Sequence, residues 1–176
     1  MHFINSQIDV STLPMAEEVK LQSIRADYLK ILRIEWLITT VVLTTIAVVM
    51  IFAIPNVRQS YGWLVLICSV AFISFLHFFL QEKSFPFKAF AVREKDVIYR
   101  YGWITRSVKI CPFNRIQNCS LQSGPLERKY KLATLVIYTA GSNDADMRIP
   151  GLLQEDAENM RHFILQKIHK EADGNI

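Results

Sequence analysis

At 176 residues the chain has room for one small folded domain beside a short second module, and a second independent core is excluded. Its hydrophobic content is 51% and its mean hydropathy +0.21, which suits a small membrane protein better than a soluble one. A net charge of only +4 gives no reason to expect a nucleic-acid partner.

The first 20 residues hold Asp9, Glu17 and Glu18 and lack an apolar central run, so they do not read as a cleaved signal peptide. Residues 1–13 are polar and mixed. Thr12 can cap a helix beginning near Pro14, with Glu17 and Glu18 in its first turn. Leu21, Ile24, Tyr28, Ile31 and Leu32 then recur at helical spacing, with Lys20, Arg25, Lys30 and Arg33 elsewhere around it. The spacing predicts a basic amphipathic helix within residues 1–35, lying either on the membrane surface or against the folded domain.

Two uncharged apolar runs come next, 36–54 and 61–80, joined only by Pro55 to Ser60. Each rises roughly 30 Å as a helix, the thickness of a bilayer's hydrocarbon core. Residues 36–80 therefore read as a transmembrane hairpin, its first span a retained signal anchor. Trp36, Tyr61 and Trp63 fall at span ends, where amphipathic rings favour the interface. Thr40, Thr44 and Ala47 form a small-residue side that the hairpin or an oligomer can use. His77, within a turn of Gln81 and Glu82, reads as interfacial. Four basic residues precede the first span (Lys20, Arg25, Lys30, Arg33), one lies in the loop (Arg58), and four come after the second (Lys83, Lys88, Arg93, Lys95). Positive charge gathers on the cytoplasmic side, so both termini are expected there.

Beyond Phe85 the pattern becomes strand-like. Residues 96–103 and 104–110 form a hairpin turning at Tyr101-Gly102, and 115–121 is another strand. Gly124-Pro125 breaks it, and residues 125–131 make a short turn or helical link. Residues 132–139 carry the strongest strand signal, 140–145 a loop, and 146–149 a short returning strand ended by Pro150-Gly151. Leu153, Ala157, Met160, Ile164 and Ile168 then line one face of a helix. Acids at its start and bases at its end suit the helix dipole. It is expected to cover an open end or edge of a curled sheet. Cys68, Cys111 and Cys119 have no metal-ligand spacing and read as small hydrophobes.

Several blocks carry a resemblance: Arg100-Tyr101-Gly102-Trp103, Pro112 to Asn118, Gly124 to Arg128, Leu132 to Leu135, Tyr138 to Gly141, and Ile149 to Leu152. Taken with the two preceding spans, the sequence resembles the bacterial pleckstrin-homology (PH) domain family, in its short YdbS-like membrane type. The resemblance covers about residue 30 to 168. It implies an α+β membrane protein: a two-helix transmembrane hairpin, then a partly open antiparallel β-barrel of about seven strands with a C-terminal helix, the domain spanning 84–171. It also implies a membrane-associated scaffold whose partner is another membrane protein, such as a larger relative with repeated PH-like domains. Lipid-headgroup binding does not transfer automatically from eukaryotic PH domains.

No nucleophile elbow, zinc-binding helix, phosphate loop or dinucleotide fingerprint is present, and His2, His77, His162 and His169 are dispersed. A non-enzyme without metal or cofactor is expected. Asp144 and Asp146 read as a solvated turn. The informative feature is charge: residues 84–131 hold ten bases against three acids, a net +7, while 132–176 hold four against seven, a net −3. Each base near an anionic leaflet gains roughly 1 kcal/mol. Lys95, Arg100, Arg106 and Lys109 are the candidate lipid contacts. Trp103, Tyr101 and Arg115 are the candidate partner contacts, since large aromatics and Arg dominate interface hot spots; the competing role for Arg115 ties strand to loop through backbone carbonyls. The expected function is a membrane-anchored scaffold in the bacterial cell membrane that binds another membrane protein at the cytoplasmic face. Alternatives are an anionic lipid headgroup module, or an accessory subunit of a transporter or secretion complex; a homo-oligomer is a further option.

Overall fold

A computed structural model describes residues 19–139 and 146–173. The first element is β1 (Gln22–Ser23), and the helix α1 (Asp27–Ala53) comes after it. The helix expected from Pro14 onward is corrected here: residues 19–26 are not helical, and residues 14–18 lie outside the described part. Pairing decides against helical periodicity, because Gln22 and Ser23 stand opposite Phe90 and Ala89 while Ile24 enters the core. Ile31 and Leu32 are also buried, so this segment packs on the domain.

α1 has no internal Pro or Gly and ends where Ile54 turns extended ahead of Pro55. Pro55 opens the short α2 (Pro55–Gln59), and α3 (Gly62–Ser84) returns. The most apolar window of each long helix has mean hydropathy 2.4 and is only 6% buried. A soluble protein's core helix would be mostly covered; these present apolar surface outward, as membrane spans do. α1 is one continuous helix from Asp27, so residues 27–35 stand beyond the expected span, roughly 13 Å of rigid stalk.

A 3-10 turn at Phe85–Phe87 leads into β2 (Ala89–Val92), β3 (Asp96–Tyr101) and β4 (Ser107–Pro112). A second 3-10 turn, Phe113–Arg115, precedes β5 (Ile116–Gln122). Next come α4 (Pro125–Lys129), β6 (Leu132–Thr139), β7 (Met147–Leu153) and α5 (Gln154–Asp173). The strands form two antiparallel sheets, ordered β1-β2-β3-β4 and β5-β6-β7, which together make the seven expected strands. Val97, Tyr99, Phe113, Leu135, Ile137 and Ile149 share the core, with the free thiols of Cys111 and Cys119 among them. α5 lies on the second sheet and the turn before β5, with Ala157 and Ile164 fully buried.

Pro150-Gly151 does not end the sheet. Ala133 pairs with Leu152 and Leu135 with Ile149, so Pro150 and Gly151 together face Thr134. The strand absorbs them as a bulge, which accommodates a missing N–H and a left-handed residue (Gly151, φ +68). A Cβ at Gly151 would stand 2.8 Å from Tyr28 Cβ, and the Gly151 carbonyl accepts a hydrogen bond from the Arg25 N–H at 3.0 Å. The bulge is therefore the seat on which the start of α1 rests.

Candidate functional site

The turn between β3 and β4 depends on Gly102. Its φ is +94, and a Cβ there would lie 2.0 Å from the Thr105 carbonyl oxygen. The tight turn carries Trp103 back against the second span, its ring meeting Phe79 of α3 edge-on at 5.8 Å. Beside it Ile104 is 78% exposed. The hairpin tip thus lies alongside the end of a membrane span, with bulky apolar groups uncovered.

Around the tip lies positive charge. Phe87, Arg100, Gly102 and Arg106 line a cavity of about 260 Å³, and the Arg106 guanidinium sits 5.5 Å from the Phe87 ring centre. Lys83 Nζ lies 5.8 Å from the Phe79 ring. Lys88 Nζ lies 5.5 Å from the Tyr28 ring, and burial lowers the pKa of its ammonium. A second tie holds the two spans together. Arg33 donates to both Glu82 carboxylate oxygens at 2.5 and 3.1 Å, and Trp36 Nε1 donates to the Ser74 carbonyl at 2.9 Å. Of the small-residue side, Thr40 shares a hydrogen bond with Ser74 at 2.7 Å and Ala47 is buried.

From the tip β4 runs away along the edge of its sheet, and no described strand pairs with its far side. Cys111 points into the core, whereas Val108 is 53% and Ile110 48% exposed. Beyond this edge a cleft of about 310 Å³ separates the two sheets, lined by Lys109 to Pro112, Arg115, Thr139, Asp146 and Met147. Lys109 Nζ crosses it to donate to the Asp146 carbonyl at 2.7 Å.

The structure divides the four expected lipid contacts. Arg100 and Arg106 share the cavity beside the tip. Lys109 reaches across the cleft, and Lys95 sits in the β2–β3 turn, at the opposite end of β3 and roughly 17 Å from the tip. Tyr101 stacks on Tyr99 at 5.3 Å and packs against the core, and Trp103 meets the chain's own span. Arg115 lines the cleft and makes no side-chain hydrogen bond to the described residues. Sequence reasoning passed over the exposed Val108 and Ile110, because an apolar alternation reads as inward-facing whichever face the sheet covers. Among the described residues, no three His, Cys, Asp or Glu side chains converge to hold a metal.

A family model described as bacterial PH domain matches residues 29–168, both spans included. A Bacillus subtilis (strain 168) protein described as transmembrane protein YdbS is 26% identical over 168 residues, which is 92% of this chain and 100% of the relative. No solved structure matches.

Proposed function

This chain belongs to the bacterial PH domain family, and on that premise we propose a non-enzymatic scaffold that holds its PH-like domain on the cytoplasmic face of the cell membrane and binds another membrane protein there. One observation carries the reading: the domain is tied to the spans at two places. The stalk of α1 is seated on the Gly151 bulge, and Trp103 meets Phe79. A domain fixed so closely to a bilayer presents the same surface to any neighbour in that membrane. Its clefts offer shape and charge. The four, one and four basic residues around the spans support termini inside. A reporter fused after Ile176 should be active only in the cytoplasm, and periplasmic activity would reverse the orientation.

A second reading is favoured by the tip itself. Exposed Ile104 and Trp103, flanked by Arg100 and Arg106, suit insertion into an anionic interface, with apolar groups at the acyl boundary and guanidiniums at phosphate depth. The deciding experiment is purification of the full chain from native membranes in mild detergent. The scaffold reading expects a second membrane protein in fixed stoichiometry. Recovery of the chain with anionic lipid alone would favour the tip as the functional element.

A further inference from the structure

We propose that the far edge of β4 is a strand-addition site, and that its occupant is an extended segment of a partner membrane protein in which apolar and acidic residues alternate. The inference rests on the scaffold reading and names the partner's chemistry. An unpaired edge strand presents a row of N–H and C=O groups that another chain can complete. Natural edges kept free carry an outward lysine, a proline or a bulge. On β4 the proline, Pro112, comes only at the end, and Lys109 is drawn across the cleft to Asp146. The residues standing over the edge are Val108 and Ile110, both about half exposed.

The two faces of β4 specify the occupant. An added strand alternates faces as β4 does. On the side of Val108 and Ile110 it meets apolar surface. On the other it meets the cleft, where the guanidinium of Arg115 and the ammonium of Lys109, which gives one of its three donors to the Asp146 carbonyl, outnumber the single acid Asp146. Apolar residues therefore belong at every second position, with carboxylates between them. A second copy of the chain fits poorly, because two-fold antiparallel pairing of β4 centred on Lys109 would set the two Lys109 side chains directly opposite each other. Location favours a membrane protein: β4 starts at the turn that touches Phe79 and climbs from the interface, so a segment leaving the bilayer can run beside it.

The test uses the full chain in phosphatidylcholine nanodiscs and two fluorescein-labelled hexapeptides, Glu-Val-Glu-Val-Glu-Val and Lys-Val-Lys-Val-Lys-Val, monitored by anisotropy. Saturable binding of the acidic peptide is expected, at least tenfold tighter than the basic one. Val108→Lys with Ile110→Lys should weaken it at least tenfold. Lys109→Glu with Arg115→Glu should reverse the preference, a gain that a merely misfolded variant cannot produce. Equal binding of both peptides, or binding indifferent to these changes, overturns the site. So does an Ile110→Cys disulfide between two copies that excess acidic peptide fails to slow. Failure here is distinct from failure of the scaffold reading: a native partner retained in full by the Val108→Lys/Ile110→Lys chain keeps the scaffold and removes the edge.

Discussion

β1 and β4 are the two edges of one four-stranded sheet, and the chain treats them in opposite ways. β1 is exposed but is held by the residues that follow it: Ile24 enters the core, the Arg25 N–H bonds to Gly151, and Tyr28 packs on that glycine. The β4 edge is left without a described neighbour, with Val108 and Ile110 uncovered. One edge joins the domain to its membrane anchor, and the other faces outward. The difference teaches that rigidity and availability are divided between the two sides of the sheet.

The contrast can be broken most severely at Gly151. Gly151→Val places a branched side chain in left-handed backbone and drives it into Tyr28. Strain and overpacking together should cost roughly 4 kcal/mol, read as a large fall in the thermal midpoint in detergent. Tyr28→Ala should not rescue it, since the backbone strain remains. The edges themselves are compared by matched truncations. Ile24→Ala, at a position 5% exposed, should cost about 2–4 kcal/mol, whereas Ile110→Ala, at 48% exposed, should cost under about 1 kcal/mol. Equal costs would mean that β4 is as firmly held as the segment that follows β1.

Trp103 gives a smaller effect. Its edge-on contact with Phe79 is an aromatic pair worth about 0.5–1.5 kcal/mol beyond the area it buries. Trp103→Ala should leave the domain folded but weaken a disulfide-trapped or double-electron-resonance distance between the tip and α3. An unchanged distance distribution would show that the tip is held elsewhere.

The smallest effect concerns the thiols. Burial pushes Cys119 up from 9.0 to about 11, and raises Cys111 in the same direction. The folded state favours the neutral thiol, so unfolded chains lose that proton first as pH rises. Stability should fall from pH 9 toward about 11 and be unaffected by these groups below that window. At pH 7.5 a maleimide should leave Cys111 and Cys119 unlabelled in the folded protein while modifying Ile110→Cys promptly.

Much of this fold was legible in the chain. The spans declare themselves by length and lack of charge, and residues 132–139 by β-branched density; both rest on properties of a single segment. What escaped depends on pairs of segments. Gln22 and Ser23 look helical until β2 supplies hydrogen-bond partners. Pro150-Gly151 looks like a stop until the register against Thr134 makes it a bulge. The candidate site was legible only as residue types. Charge marked Arg100 and Arg106, yet nothing in the spacing separates them from Lys95, which the strand carries to the other end of the sheet. Residue type makes Trp103 a candidate contact, while its proximity to Phe79 requires the turn geometry that Gly102 permits.

The most direct test of this division is residue-resolved amide hydrogen exchange on the full chain in phosphatidylcholine nanodiscs. In an antiparallel edge strand, alternate N–H groups point away from the sheet. Every second amide between Ser107 and Cys111 should exchange near the rate of solvated backbone, while the Arg25 amide, bonded to Gly151, and the amides of β3, paired on both sides, stay protected. Uniform protection along β4, matching that of β3, would contradict an open edge and the docking role built on it.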